Sequence, residues 1–220
     1  MVLTEIESKK LLSQAGIDVN DTRLAKTREE AIEISKSLGF PVVLKVASSD
    51  IVHKSDAGAV KLGLDTPVRV GEAWDEITKS ARANYPKATV DGISVQKMAP
   101  PGIEIIIGMS KDEQFGPVLM FGLGGVWVEI MKDVSFKIVP LTTQDAADMI
   151  REIKGYALLK GYRAQKPVDV PYLERLLIQV SQFVEKNPNI RELDLNPILA
   201  YPEGAIAVDA RIVLDNGADA

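Results

Sequence analysis

The chain has 220 residues, 46% of them hydrophobic, which is enough for a sizeable core in one compact unit or two coupled subdomains. Its 31 acidic and 26 basic residues give a net charge of −5, which argues against a nucleic-acid-binding protein. Cysteine is absent and histidine occurs once, so disulfides, thiolate zinc sites and multi-histidine metal sites are excluded. No apolar run is long enough to span a membrane, and the charged N-terminus is unlike a signal peptide, so we expect a cytoplasmic protein.

The predicted elements mix helices with strands that are close enough in sequence to form hairpins. We expect helices at residues 4–15, 27–39, 66–85 and 142–153, and in the segment that Asp169 caps. We expect strands at residues 22–25, 42–46, 92–98, 103–109, 118–121, 127–131, 135–139, 192–200 and 205–212. This order predicts the α+β class rather than a purely parallel sheet.

Two residues in the N-terminal half are candidates for phosphate chemistry. Lys45 ends an apolar strand and therefore needs an anionic partner, which is either a phosphate or a structural carboxylate. His53 lies in a polar loop of small residues, and a neutral imidazole there could accept a phosphoryl group as a nucleophile. The alternative for His53, and the more common case, is a solvated loop with a lone histidine.

A possible heterocycle site lies around a proline-rich hinge. Gln96, Lys97 and Met98 end a strand just before a Pro-Pro-Gly turn, and Glu104 follows in the next strand. Backbone groups at such a hinge can bind a flat heterocycle, and a nearby carboxylate can accept hydrogen bonds from ribose hydroxyls. A surface glutamate on a half-exposed hairpin is the alternative for Glu104.

Acidic and amide side chains alternate in the closing strands. Glu192, Asp194 and Asn196 fall on one face of a strand, and a hairpin could bring Asp209 opposite them. Hard oxygen ligands on adjacent strands suit Mg²⁺, with phosphate oxygens and water completing the octahedron. The alternative is the polar face of an edge hairpin, but acidic residues are unfavourable in strands, which favours a site.

Taken in order, these motifs resemble an ATP-grasp domain. The matching series is Val43-Leu44-Lys45, a small-residue loop, Gln96-Lys97-Met98, Gly102-Ile103-Glu104, and Asp194-Leu195-Asn196-Pro197 with Asp209. Residues 51–58 and 121–129 are especially similar to the β subunit of ADP-forming acyl-CoA synthetases, also called acetate–CoA ligases. The resemblance implies an α+β ATP-grasp fold, with two α+β subdomains that enclose a nucleotide cleft. We expect one ATP-grasp unit over residues 1–220, with subdomains near 20–97 and 98–215 and an N-terminal helix within 1–19.

The resemblance also implies a reaction and its partners. Members of this family convert acyl-CoA, ADP and phosphate reversibly into the free acid, CoA and ATP. A CoA-binding α subunit with its own histidine would assemble with this chain, giving an α2β2-type hetero-oligomer. His53 matches the family's second histidine, which lies on a mobile loop and relays the phosphoryl group to ADP.

The same resemblance implies roles for the other residues. Lys45 would neutralise nucleotide phosphates and Glu104 would hold the ribose. The adenine pocket would be lined by Gln96, Lys97 and Met98.

Mg²⁺ would be bound by Asn196 and Asp209, with Asp194 in or near the same shell. Many ATP-grasp ligases have a glutamate immediately before the metal asparagine, and here that position is Leu195.

Two other functions are compatible with these residues. A carboxylate–amine ligase of the ATP-grasp type would form its own acyl phosphate without a histidine relay. A nucleotide-binding module without chemistry would bind ADP only. The glycine-rich segment at residues 122–125 matches neither the Walker A nor the dinucleotide fingerprint, and we interpret it as a tight crossing or a subunit contact.

Overall fold

The computed structural model describes residues 1–48, 50–51, 58–125, 131–163 and 166–215. The helices in these ranges are α1 (Glu5–Gln14), α2 (Arg28–Leu38), α3 (Pro67–Asn84), α4 (Thr143–Glu152), α5 (Tyr156–Leu159) and α6 (Val170–Lys186). The strands are β1 (Thr22–Ala25), β2 (Val42–Ala47), β3 (Val60–Leu64), β4 (Gly92–Lys97), β5 (Ile103–Asp112), β6 (Gly116–Leu123), β7 (Val134–Ile138), β8 (Ile190–Ala200), β9 (Ala205–Ala207) and β10 (Arg211–Leu214). The strand predicted at residues 127–131 lies, except for its last residue, outside the described residues.

The chain divides into two compact units. The small unit is Asn20–Pro100, and the large unit combines Met1–Val19 with Pro101–Ala220. The N-terminal helix α1 is therefore part of the large unit. None of the helices in the described ranges is long and apolar enough to cross a membrane.

The small unit is a four-stranded antiparallel sheet with two helices on one face. Its strand order is β1-β4-β2-β3. Val42, Leu44 and Val46 of β2 belong to the same buried cluster as Ala31 of α2 and Ile77 of α3. Because side chains alternate along a strand, Val43 and Lys45 lie on the opposite face of the sheet.

The large unit contains the larger antiparallel sheet, in the order β10-β8-β5-β6-β7, with β9 also paired to β8. One face packs against α4 and α6, where Ile107, Phe121 and Leu195 form a core with Met149 and Leu177. All described strand pairs in both sheets are antiparallel, so the predicted α+β class is confirmed.

Polar caps fix the helix starts that the sequence predicts. Thr4 and Glu7 form a reciprocal capping box at α1, and Thr142 and Asp145 do the same at α4. At α2, the Thr27 hydroxyl accepts a hydrogen bond from the Glu30 amide, and the Glu30 carboxylate accepts one from the Lys26 amide.

The closing strand predicted at residues 205–212 is interrupted. β9 and β10 are separated by residues 208–210, yet both pair with β8 in one common register. Ala207 is opposite Ile198, and Arg211 is opposite Asp194. The hairpin therefore forms as expected, with a break in its second strand.

Candidate functional site

Asp194, Asn196 and Asp209 lie together on the hairpin of the large unit. The hydrogen bond from the Val208 amide to the Pro197 carbonyl, at 3.1 Å, continues the register of β8 through the break. Asp209 therefore occupies the register position opposite Asn196. Because directly opposite residues in an antiparallel pair share a face, the Asn196 amide and the Asp209 carboxylate lie on the same side of the hairpin, and the charge of Asp209 acts on the carboxyl of Asp194.

A β-bulge in β8 shapes the surroundings of Asn196. The pairing of β5 with β8 shifts by one residue between Ile105 and Ile107. The burial pattern shifts with it, since Leu195 is buried and the next buried residue is Ile198. Asn196 is exposed within this irregular stretch. Bulges of this kind commonly turn a side chain towards an active site.

The two carboxylates of the cluster interact with each other. Burial raises the pKa of the Asp194 carboxyl, and the negative charge of Asp209 raises this pKa further, while Arg211 acts in the opposite direction. No group of three His, Asp or Glu side chains in the described ranges is arranged to hold a metal. A metal at this cluster would be bound by the carboxylates of Asp194 and Asp209 and the amide oxygen of Asn196. These ligands fit Mg²⁺ when phosphate oxygens and water supply the others.

We expect Asp194→Asn to stabilise the metal-free protein while weakening its affinity for Mg²⁺. Removing a half-buried charge that Asp209 repels should raise Tm by about 2 °C near pH 7. Because the pKa of the Asp194 carboxyl is raised in the native state, its negative charge lowers the stability of the protein at pH values above that pKa. Below the ordinary pKa of 3.8, the carboxyl is protonated in both the native and the unfolded state, so it has no such effect. The gain in Tm should therefore disappear in strongly acidic buffer. Glu113→Gln in the exposed turn between β5 and β6 is the control, and an unchanged Tm for Asp194→Asn would contradict the prediction.

An open cavity of about 380 Å³ lies beside Asp194, on the face of the large sheet away from α4 and α6. Met120 and Phe136 provide apolar walls, and Glu192 and Arg211 provide charge. Arg211 is not among the site residues that the sequence pattern predicts. Its signal in the sequence is its position two residues after Asp209, and the strand register then places it directly opposite Asp194. A guanidinium at this place suits a ligand with phosphoryl oxygens.

The glycine-rich segment at residues 122–125 runs directly beside Glu104. Glu104 is an exposed residue of β5, and its carbonyl accepts a hydrogen bond from the Gly124 amide at 2.8 Å. Gly125 has a φ of +62°, and a Cβ at this position would lie 2.7 Å from Oε2 of Glu104. Glycine at both positions lets the segment pass close to Glu104, which agrees with the tight crossing that we expect from the sequence, and the structure identifies Glu104 as the residue that it passes.

Lys45 is buried on the face of the small sheet away from α2 and α3, with 6% of its surface exposed. It is opposite Val60 of β3 and Ser94 of β4, and the Ser94 hydroxyl donates to the Lys45 carbonyl at 3.2 Å. Gln96, two residues further along β4, is also buried and accepts a hydrogen bond from the Thr22 hydroxyl at 3.1 Å. This face thus carries a row of buried polar residues around the lysine.

Replacing Lys45 with alanine should lower ADP affinity by about tenfold or more without unfolding the chain, because a desolvated cation interacts strongly with phosphates. Calorimetric titration and a melting curve measure the two effects separately. Lys61→Ala on β3 is the matched control, since Lys61 pairs with Glu76 of α3. A collapse of Tm with intact ADP binding would assign Lys45 to a structural ion pair.

The hinge residues make contacts within the small unit. Lys97 Nζ donates to the carbonyls of Gly39 and Phe40 at 2.8 and 2.7 Å, which places a cation at the C-terminal end of α2. The Met98 amide donates to the Pro41 carbonyl at 3.1 Å. The Lys97 side chain therefore connects the end of α2 to the hinge. The contacts of Gln96, Lys97 and Met98 with adenine stay predictions. His53 lies outside the described residues.

The whole described fold matches one protein family. Residues 1–214 match the ATP-grasp domain family. The chain is 46% identical to the β subunit of acetate–CoA ligase (ADP-forming) I from Pyrococcus furiosus over 212 residues. This match covers 96% of this chain and 91% of that protein. The chain belongs to the ATP-grasp family, as the sequence motifs predict.

Two further comparisons show which members of the ATP-grasp family the chain resembles. The chain is 45% identical to acetate–CoA ligase (ADP-forming) I of Archaeoglobus fulgidus, a longer protein of which the match covers 30%. Its structure resembles acetyl-coenzyme A synthetase 1 of Ca. Korarchaeum cryptofilum with a TM-score of 0.95 at 50% identity, over 97% of this chain and 93% of that one. That protein was solved with coenzyme A and Ca-AMPCP, and also with Mg-AMPPCP. The predicted ATP-grasp fold and the likeness to β subunits of ADP-forming acetate–CoA ligases are thus confirmed.

Proposed function

We propose that this chain is the β subunit of an ADP-forming acyl-CoA synthetase, an acid–thiol ligase. It would contribute to the reversible conversion of acyl-CoA, ADP and phosphate into acid, CoA and ATP. The observation that supports this function most directly is the register that brings Asn196 opposite Asp209 beside Asp194, in a chain that aligns with such subunits over almost its full length.

Each unit of the chain has a task towards the nucleotide. In the large unit, Asn196 and Asp209 would hold Mg²⁺, with Asp194 in or near the same shell, and the Glu104 carboxylate would accept hydrogen bonds from the ribose hydroxyls. Bound Mg²⁺ would neutralise charge on the nucleotide phosphates. In the small unit, Lys45 acts as a point charge towards the phosphates, and Gln96, Lys97 and Met98 line the adenine pocket.

The phosphoryl group reaches ADP through His53. An α subunit binds CoA, forms the acyl phosphate and passes the phosphoryl group to its own histidine. The His53 imidazole then attacks this phosphorus, the bond to the α-subunit histidine breaks, and a terminal oxygen of ADP in turn displaces His53 to give ATP. Splitting the transfer into two steps lets a single chain receive the group at one site and deliver it at another.

The α subunit is a separate partner, with which this chain forms an α2β2-type hetero-oligomer. In Archaeoglobus fulgidus the related enzyme is one longer chain, which supports a functional need for a second part. The acetate named in the relatives is one acyl group that fits this function, and the acyl specificity would belong to the α subunit.

Reconstitution tests this function. The chain is mixed with a CoA-binding α subunit, acyl-CoA, ADP, phosphate and Mg²⁺, and ATP formation is measured. We expect ATP only when both subunits are present. ATP consumption by the chain alone with a carboxylic acid and an amine would instead indicate a carboxylate–amine ligase, and ADP binding without any turnover would indicate a nucleotide-binding module.

A further inference from the structure

The large unit contains a buried ion pair that none of the proposed steps uses. Lys9 and Glu5, one turn apart on α1, are 3% and 7% exposed, and their Nζ and Oε1 atoms are 2.7 Å apart. Lys9 Nζ also donates to the Val208 carbonyl at 2.9 Å. Buried pairs of this kind bring little net stability, because both charges must be desolvated, so a specific geometric task is a natural reason for one.

The residue opposite Val208 on the hairpin cannot donate a hydrogen bond to the Val208 carbonyl. Val208 lies in the break between β9 and β10, and its amide donates to the Pro197 carbonyl across the hairpin. In a regular antiparallel pair the opposite residue returns its own N–H to the same residue. Pro197 has no N–H, so it cannot return this bond. The ammonium group of Lys9 is a donor to this carbonyl, and it comes from a different element of the large unit.

The rest of the N-terminal segment holds the strands on both sides of the break. The Leu3 amide donates to the Ile212 carbonyl of β10 at 2.9 Å. Beyond α1, the Asp18 carbonyl accepts from the Ala207 amide of β9 at 3.0 Å. The segment therefore contacts the hairpin before, within and after residues 208–210, and Lys9 provides the contact within the break.

We propose that Lys9 is a positioning residue for the metal ligand Asp209. It fixes the peptide that precedes Asp209, while the Ala210 amide donates to Asp209 Oδ1 at 2.9 Å and orients the carboxylate. Metal sites depend on such supporting bonds, because a ligand must be held close to its productive position before the ion arrives. This inference rests on the proposed binding of Mg²⁺ by Asn196 and Asp209.

The test uses the double variant Glu5→Gln/Lys9→Met, which removes the donor without leaving an unpaired buried charge. Calorimetry gives the ADP dissociation constant with and without Mg²⁺. We expect the Mg²⁺-dependent gain in affinity to fall by about 10- to 100-fold, with metal-free ADP binding nearly unchanged. A purely structural role would lower Tm and leave this gain unaltered. Glu5→Gln alone keeps the Nζ donor and should lose less of the gain than the double variant.

A matched control and a metal-free measurement complete the test. Ser8→Ala alters α1 at a fully buried neighbour and should leave the Mg²⁺ dependence intact. In the metal-free double variant, the Val208 amide should exchange its hydrogen about tenfold faster than in the parent protein. An unchanged Mg²⁺-dependent gain in the double variant overturns the role of Lys9, provided that Asp209→Asn reduces the gain. If Asp209→Asn has no effect either, the metal site itself is wrong.

Discussion

Replacing His53 with alanine should abolish ATP formation by the reconstituted enzyme and leave ADP binding nearly intact. The histidine receives the phosphoryl group but does not bind the adenine base. Its loss therefore removes a chemical step and leaves the nucleotide-binding site unchanged. We expect turnover to fall by more than about 1,000-fold, because the proposed relay has no second nucleophile on this chain that could replace His53. The measurements are ATP formation with the α subunit present and ADP titration of the isolated chain.

The single histidine of the chain makes a direct assay of the intermediate possible. When acyl-CoA and labelled phosphate are supplied without ADP, the α subunit should transfer label to this chain, and addition of ADP should discharge it as ATP. His53→Ala should remain unlabelled. Near-normal ATP formation by His53→Ala would falsify the relay and favour the carboxylate–amine ligase.

Changing Asp209 to asparagine should weaken binding of the Mg²⁺–nucleotide complex far more than binding of the nucleotide alone. The change keeps the size of the side chain but removes one of the two carboxylates of the cluster, so the direct attraction for the cation falls. We expect a loss on the order of 100-fold with Mg²⁺ and a small change without it. Calorimetry in matched buffers, with Mg²⁺ or with a chelator, gives both values.

Glu203→Gln is the control for Asp209→Asn. Glu203 is exposed in the turn between β8 and β9, on the same hairpin, so its substitution removes an equal charge away from the cluster. It should not alter the Mg²⁺ dependence. Equal losses for Asp209→Asn with and without Mg²⁺ would count against the metal assignment and would point to a role in the fold of the hairpin.

Local chemistry explains why the helices and most strands were predictable. Thr4, Thr142 and Asp169 cap helix starts with their own side chains, so the information is within one turn of the chain. The apolar stripe of α6 reflects burial of one face of the helix. The β-branched run of β2 reflects a strand that is buried on both faces. The four-residue helix α5 carries too few residues for any period, so the sequence gives no comparable signal.

The candidate site was only partly predictable. Alternation identified Asp194 and Asn196, and a hairpin around a turn predicted that Asp209 would be near them. The opposed position of Arg211 depends on a register that the sequence pattern does not specify, because a shift of a single residue would change every partner. The lysine of the hinge shows the same limit, since Lys97 reaches back to the end of α2 through contacts far apart in the sequence.

By itself, the sequence determined the α+β class, the family, the helix starts and the residue types suited to Mg²⁺ and phosphate, because these depend on composition, local spacing and motifs. The tertiary structure decided which of those residues meet. It placed Asp209 in the break opposite Asn196, and it brought Lys9 from the N-terminal helix to the Val208 carbonyl within the same break. The first depends on strand register, and the second joins residues 199 positions apart and depends on long-range packing.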